Sequence, residues 1–295
     1  MSTQQTSAEL LRGVFLLLAG LFLLAGMDAA TKILTVHYEA PLVVAMRYIV
    51  HCLLMIVFLA PTQGRKLIQT RRTGLVLIRA AALAVTSIFI GLALHRMPVA
   101  ETTSITFLAP LLVVLLARPI LGEHIGILRW AAAITGFCGV LLIVRPGSGL
   151  DPGGMVFALC AVGGLVVYFL LSRALAHTEQ TLSLLFYTAL VGAIGCGAFL
   201  PWSWGGPVPT RWELLLFLLI GTASALGHFL LTAAYRHAPA SLLAPMSYLQ
   251  LLWAGLLGWL VFGHVPDHLS VLGMVVITVS GGISALKLHH PKSKH

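Results

Sequence analysis

The chain has 295 residues, of which only 9% are charged, and its mean hydropathy is +0.98. A soluble domain of this composition would expose large apolar patches and aggregate, so the composition indicates an integral membrane protein without a separate soluble domain. The net charge of +9 does not indicate a nucleic-acid partner, because most Lys and Arg residues lie in short loops between apolar segments.

Ten apolar segments of membrane-spanning length predict an all-α integral membrane protein with ten transmembrane helices. The first segment continues through Asp28 and Lys32 without a small-residue cleavage site, so we interpret it as a helix and not as a signal peptide. The predicted helices cover residues 13–36, 41–60, 74–94, 99–117, 127–144, 154–172, 182–200, 213–235, 240–262 and 269–287.

The distribution of basic residues predicts the orientation of these helices. With a cytoplasmic N-terminus, 12 of the 18 Lys and Arg residues fall on inner loops and tails, 4 on outer loops and 2 within helices. The positive-inside rule therefore predicts a multi-pass protein of the cytoplasmic (inner) membrane with both termini in the cytoplasm. All four cysteines lie inside apolar segments, so neither a disulfide framework nor a metal site is predicted.

The second five predicted helices repeat the first five at a shift of 140 to 141 residues. Because five is an odd number, the two halves must enter the membrane in opposite senses, and such inverted repeats build a midplane site with alternating access. We predict one five-helix repeat over residues 13–147 and a second over residues 152–287. The matched positions include His37 with His177, Glu39 with Glu179, Pro98 with Pro239 and Gly122 with Gly263.

Several short motifs then carry a family resemblance. They are Ala-Glu-Thr-Thr-Ser-Ile-Thr-Phe-Leu-Ala-Pro-Leu at 100–111, Leu-Gly-Glu at 121–123, Leu-Ile-Val-Arg-Pro-Gly at 142–147 and Ser-Tyr-Leu-Gln at 247–250. Together they resemble the EamA family of the drug/metabolite transporter superfamily over essentially residues 13–287, in both repeats. One departure is that the Gly122-Glu123 pair of the first repeat is matched by Gly263-His264 in the second.

The resemblance implies a ten-helix fold with cytoplasmic termini and a central cavity lined mainly by helices one, three, four, six, eight and nine. It also implies the transport of small organic solutes, including amino acids, nucleotide-like metabolites and vitamins. Within this frame, we predict an exporter of an amino acid or a related metabolite. The alternative is an importer or exchanger of a vitamin or an adenosyl-type metabolite.

Charged residues at membrane depth are costly and mark either a function or a pair. Asp28, Lys32, Arg47 and Glu101 all lie towards the outer ends of their predicted helices, and we predict that they form a gate or a coupling site. In this hypothesis Asp28 pairs with Arg47 or Lys32. The alternative is a static salt-bridge network that clamps the helices together. Arg79 lies near the cytoplasmic end of its helix and is expected to snorkel to the interface.

The second half contains almost no intramembrane charge, and its polar and aromatic groups predict a neutral-walled solute pocket. Gln250 can donate and accept a hydrogen bond, and aromatic rings offer flat faces with polar tips. The alternative for each residue is ordinary packing or a hydrogen bond to a neighbouring helix. The predicted substrate-binding residues are Tyr168, His228, Tyr248, Gln250 and Trp253.

Pro110 and Pro245 lie in matching helices, the fourth and the ninth, and each removes one backbone hydrogen bond. We therefore predict a break in both helices. Such breaks occur at transporter sites and also in plain packed helices.

No motif for ATP hydrolysis, for a metalloprotease or for a serine hydrolase is present, which favours a secondary transporter over an intramembrane enzyme. We predict no catalytic residue, metal ligand or cofactor. The expected partners are a small organic solute, protons as a candidate coupling ion, and the lipid bilayer, and the expected state is a monomer or weak dimer. A structural or receptor-like membrane protein is the remaining alternative.

Overall fold

A computed structural model describes residues 7–97, 99–145, 151–203, 205–263 and 265–286, without the side chains of residues 7, 99–101, 203 and 284–286. Every regular element within these ranges is helical. The helices are α1 (Ser7–Leu34), α2 (Ala40–Gln63), α3 (Thr73–Arg96), α4 (Val99–Thr106), α5 (Leu108–Leu121), α6 (Ile127–Val144), α7 (Pro152–Leu175), α8 (Thr181–Gly197), α9 (Leu200–Ser203), α10 (Arg211–His237), α11 (Ala240–Met246), α12 (Gln250–Phe262) and α13 (His268–Leu286).

Nine helical stretches of the described chain are long and apolar enough to cross a membrane. They correspond to the first nine predicted segments, and their ends agree with the prediction to within seven residues. The tenth predicted segment forms the apolar helix α13, of which His268–Ile283 is the fully described stretch. The apolar side chains on the outside of the bundle are widely exposed, as expected where lipid replaces water as the solvent.

The predicted breaks near both prolines are confirmed. The chain leaves the α-helix at Phe107, between α4 and α5, because Pro110 has no N–H to offer the carbonyl of Thr106. In the second half, α11 contains Pro245 and is followed by a 3-10 turn over Ser247–Leu249 before α12 begins. Each of these two membrane segments therefore consists of two helical pieces.

Close helix pairs hold the bundle together, and small residues permit their approach. The helix α1 packs along α10, where a Cβ on Gly20 would lie 3.0 Å from the carbonyl oxygen of Gly227. The helix α3 packs along α7, where a Cβ on Gly164 would lie 2.9 Å from the carbonyl oxygen of Ala82. Other helices in contact include α2 with α8 and α10, α3 with α8, α1 with α12, α5 with α7 and α11, and α6 with α13.

The pair α6 and α13 meets at two facing glycines, Gly139 and Gly273. A Cβ on Gly139 would lie 2.7 Å from Cγ1 of Ile277 and 2.9 Å from the carbonyl oxygen of Gly273. The hydroxyl of Ser280 donates a hydrogen bond to the carbonyl oxygen of Ala132 at 2.7 Å, which links the same helices. Gly139 and Gly273 therefore serve a close helix contact within the chain.

An ion pair outside the membrane segments links the C-terminal end of α6 to the N-terminal end of α13. Arg145 follows α6 in the left-handed conformation, and its Nη2 lies 2.7 Å from both carboxylate oxygens of Asp267. The backbone N–H of Ser270 also donates to Asp267, at 3.0 Å. Hydrogen bonds from the Ser270 side chain and from Arg145 hold the pKa of Asp267 well below its usual range.

Two glutamates cap helix N-termini that belong to the other half of the chain. Glu123 follows α5 and accepts hydrogen bonds from the backbone N–H groups of Ala240 and Ser241, both at 2.9 Å. Glu179 follows α7 and accepts from the backbone N–H groups of Arg71 and Arg72, just before α3. Anionic side chains are favourable at these positions because helix N-termini carry unpaired N–H groups and positive potential. The glutamate of the Gly122-Glu123 motif therefore acts here as a cap between the halves.

We expect Gly139→Ala to destabilise the protein by about 1–3 kcal/mol, since the new methyl group overpacks the contact of α6 with α13. Gly163→Ala is the matched control, because a Cβ there meets nothing within 4 Å. Thermal unfolding in detergent should show a lowered Tm for Gly139→Ala and an unchanged or raised Tm for Gly163→Ala. Equal Tm values would contradict the close contact.

Candidate functional site

A hydrogen bond between the two halves marks the centre of the candidate site. Gln250, the first residue of α12, donates from Nε2 to Oδ2 of Asp28 on α1 at 3.1 Å. Asp28 remains exposed, although its neighbours Ala25 and Met27 are buried. An open carboxylate beside an amide can receive a cationic or hydrogen-bonding group of a solute.

The predicted ion pair of Asp28 with Arg47 or Lys32 is not formed among the described residues. Arg47 lies within electrostatic reach of Asp28 but turns towards neutral groups. Its guanidinium lies 4.9 Å from the ring centroid of Tyr48, and Nη2 donates to Oγ of Ser87 at 3.4 Å. The predicted ion pair was wrong because the guanidinium of Arg47 contacts the Tyr48 ring and the Ser87 hydroxyl instead of the Asp28 carboxylate.

Of the other two residues of the predicted gate, only Lys32 has a described side chain. Nζ of Lys32 is 4.5 Å from the ring centroid of Phe262, at the end of α12, and the side chain is exposed. The side chain of Glu101 lies outside the described part of the structure. A salt-bridge network clamping helices one, two and four is therefore not found among the side chains that the structure describes.

Two aromatic residues beside Gln250 carry polar atoms with no protein partner among the described residues. Tyr248 is fully buried in the 3-10 turn, with its hydroxyl unpaired and its ring 5.9 Å from that of Phe107. Trp253 leaves its indole N–H unpaired and meets Phe22 edge-to-face at 5.2 Å. Buried unpaired donors are costly, so a solute that supplies acceptors here would bind favourably.

The residues Tyr168 and His228 belong to a different cluster, which is organised by Arg79. The guanidinium of Arg79 is fully buried, so the expected snorkelling to the interface was wrong. All five of its N–H groups have an acceptor, and none of these acceptors is a carboxylate. They are Oγ of Ser172 at 2.7 Å, the carbonyl oxygen of Leu184 at 3.2 Å, Oγ1 of Thr188 at 2.8 Å, the hydroxyl of Tyr168 at 3.2 Å and Oγ1 of Thr232 at 2.9 Å.

This cluster ties α3 to α7, α8 and α10. The Tyr168 ring also lies beneath the Arg79 guanidinium at 4.5 Å, and the Tyr168 hydroxyl bonds Nδ1 of His228 at 3.2 Å. The partners of Arg79 could not be predicted from the sequence, because Ser and Thr residues in an apolar helix look like ordinary small residues. A lone arginine two turns inside a membrane helix was the only available sign.

The arrangement suits non-covalent binding. No group of three His, Cys, Asp or Glu residues among the described residues could hold a metal ion. The contact of Asp28 with Gln250 offers an open carboxylate and an amide, and the unpaired indole N–H of Trp253 lies one turn further along α12. These are the groups that fix the orientation of a small organic solute in a mostly apolar pocket. The Tyr248 ring instead packs against Val140 of α6 and Ile277 of α13.

Comparison with known proteins gives one family, matched in both halves of the chain, and several transporters as relatives. The sequence model of the EamA-like transporter family matches residues 11–145 and, separately, residues 152–284. The S-adenosylmethionine uptake transporter of Rickettsia bellii is 30% identical over 217 residues, 72% of this chain and 73% of that protein. The riboflavin transporter of Rhizobium johnstonii is 33% identical over 204 residues, 67% of this chain and 64% of that protein.

A third relative aligns over nearly the whole chain. The pseudopaline exporter of Pseudomonas aeruginosa is 27% identical over 275 residues, 91% of this chain and 94% of that protein. The fold is similar to that of a protein with a solved crystal structure. The two superpose over 98% of this chain and 100% of the other chain, with a TM-score of 0.80 at 19% sequence identity. This last likeness concerns the fold alone.

We expect Arg79→Ala to lower the stability of the protein by about 3 kcal/mol or more, because it leaves several buried acceptors and hydroxyls unpaired. Arg65→Ala is the matched control, since Arg65 is exposed on the loop after α2. Thermal unfolding in detergent should show a large loss of Tm for Arg79→Ala and no change for Arg65→Ala. A Tm of Arg79→Ala equal to that of the wild type would contradict a structural role for the cluster.

Proposed function

The chain belongs to the EamA-like transporter family, and we propose that it is a secondary transporter that moves a small organic metabolite by alternating access. Nine apolar helices of spanning length within the described residues make it a multi-pass membrane protein. Its family and its named relatives are transporters, which argues against the intramembrane enzyme.

We propose ten membrane helices in two inverted five-helix repeats, residues 13–147 and 152–287. Two features support the repeats. In the proposed repeats α1 corresponds to α7, and α3 corresponds to α10. The close packing of α1 with α10 is therefore matched by the close packing of α7 with α3. The helix breaks at Phe107 and at Tyr248 are separated by 141 residues, the shift of the repeat, and their two rings face each other. Broken helices near a repeat interface are typical of solute sites in transporters.

The observation that carries the proposed solute site is the contact of Asp28 with Gln250 across the two halves. Tyr248 and Trp253 flank Gln250 in the sequence, and each has one donor group without a partner among the described residues. We propose that an amphipathic or zwitterionic solute binds between them, with its charged end towards Asp28. Tyr168 and His228 form a further polar part of the wall, held in place by Arg79.

We propose that Lys32 and Glu101 act at the outer gate, because both belong to the outer ends of their helices in the proposed orientation. Asp28 is the candidate for proton coupling, since a carboxylate that is both open and near the proposed solute can exchange a proton for a solute. Arg47, placed between Asp28 and α3, completes the charged part of the interior.

The first candidate activity is export of an amino acid or a related metabolite. The exporter of Pseudomonas aeruginosa supports it, because that match spans both halves of this chain. The second candidate is uptake or exchange of an adenosyl-type metabolite or a vitamin, which the Rickettsia bellii and Rhizobium johnstonii relatives favour. In both cases the solute is small and organic and carries polar groups on an apolar body.

A counterflow assay in liposomes that contain only this protein tests the solute site. Labelled methionine or labelled S-adenosylmethionine should accumulate when the same unlabelled solute is loaded inside. Gln250→Ala should weaken the apparent affinity about tenfold, equivalent to about 1.4 kcal/mol for one lost hydrogen bond. Gln69→Ala, an exposed cytoplasmic-loop position in the proposed topology, is the matched control and should leave the affinity unchanged. Identical kinetics for both variants would remove Gln250 from the site.

Labelling of single cysteines tests the proposed orientation. In a variant lacking all native cysteines, an impermeant thiol reagent added to intact cells should modify Val208→Cys and spare Thr62→Cys. Val208 is 90% exposed in the loop before α10, and Thr62 is exposed at the far end of α2. The opposite labelling pattern would place both termini outside the cytoplasm. The cysteines to be replaced are Cys52, Cys138, Cys160 and Cys196.

A further inference from the structure

We propose that Arg47 and His51 of α2 and Ser224 of the neighbouring α10 form a subsite that binds the carboxylate of the transported solute. The inference rests on the proposed transport function and names the substrate class more closely, as a metabolite that carries an α-amino-acid group. The ammonium of such a group would lie at Asp28 and Gln250, and its carboxylate would lie at Arg47.

Arg47 is a cation whose hydrogen bonds are weak and incomplete. Its Nη2 meets Oγ of Ser87 at 3.4 Å, its Nη1 meets Sδ of Met27 at 3.7 Å, and its Nε has no partner among the described residues. This contrasts with Arg79, where all five N–H groups are paired. A half-buried guanidinium in this state retains donors for a planar carboxylate.

His51 lies one helical turn beyond Arg47 on the same face of α2. The imidazole is fully buried, and neither of its ring nitrogens has a hydrogen-bond partner among the described residues. A neutral imidazole always carries one N–H donor, and burial of that donor without an acceptor costs free energy. An acceptor atom brought by a solute would remove this cost.

The facing side of α10 supplies a third unpaired donor. Gly221 allows α2 to approach so closely that a Cβ there would lie 3.3 Å from the backbone nitrogen of His51 and would contact the Val50 side chain. Ser224 follows Gly221 by three residues and so lies one turn along the same face. It is fully buried, and its hydroxyl has no partner among the described residues.

The three groups together have the composition of a carboxylate site. Arg47 provides the charge, and His51 and Ser224 provide neutral donors for the remaining lone pairs of a carboxylate. Asp28 lies within electrostatic reach of Arg47 but forms no ion pair with it. A zwitterionic amino-acid group can neutralise both charges at once, with its ammonium on Asp28 and its carboxylate on Arg47.

A purely structural role makes a different prediction about solute affinity. If the unpaired groups of Ser224 and His51 served only packing, removing them would stabilise the fold and leave solute affinity unchanged. We expect Ser224→Ala to keep or raise the Tm while it weakens binding of the carboxylate-bearing solute several-fold. This variant tests the subsite even if Arg47→Gln fails to fold.

Pairs of solutes that differ only in the carboxylate provide the decisive experiment. Counterflow in liposomes would compare methionine with methionine amide, and S-adenosylmethionine with its decarboxylated form. The wild-type protein should prefer the carboxylate-bearing member at least tenfold. Arg47→Gln and Ser224→Ala should reduce that preference, whereas Arg65→Gln, the same change at an exposed loop position, should preserve it.

The possible failures are distinguishable. Equal transport of both members of a pair by the wild type would overturn the subsite while the proposed transport function stands. An unchanged preference in well-folded Arg47→Gln and Ser224→Ala would likewise overturn it. Transport of neither pair would overturn both the subsite and the assignment of an amino-acid class to the solute.

Discussion

The burial of the Arg79 guanidinium constrains the arrangement of four helices around it. A cation inside an apolar bundle is costly unless every N–H group finds an acceptor. Here α7, α8 and α10 each present hydroxyl or carbonyl oxygens to α3, and the Tyr168 ring covers the guanidinium. Movement of any one helix would leave a buried donor unpaired. This requirement also positions Tyr168 against His228 in the interior.

Several other polar side chains of the interior, unlike Arg79, are not fully hydrogen-bonded. Arg47, His51, Ser224, Tyr248 and Trp253 all leave polar atoms without partners among the described residues. Buried polar atoms without a partner are uncommon in native structures, so each of these groups calls for an explanation. The contrast between a saturated cluster and a set of unpaired donors separates a part of the bundle that holds the helices from a part that is suited to a solute.

The ends of the helices show how the two halves are held to each other. Glu123 of the first half caps α11 of the second, and Glu179 of the second half caps the start of α3 in the first. At the opposite ends, Nδ1 of His37 lies 2.7 Å from Oε1 of Glu213. These contacts join the two halves. A relative movement of the halves during alternating access would therefore either use them as hinges or break them.

The sequence by itself determined the membrane segments, most of their ends and the helix breaks near Pro110 and Pro245. These are local properties, set by apolar length, loop composition and the missing N–H of proline. Only the tertiary structure decided that Arg79 is buried, that Asp28 meets Gln250 instead of Arg47, and that the donors of the candidate site stay unpaired. Those outcomes depend on partners from distant parts of the chain. Their neutral hydroxyl and carbonyl acceptors are present throughout an apolar sequence and do not identify one another by charge or spacing.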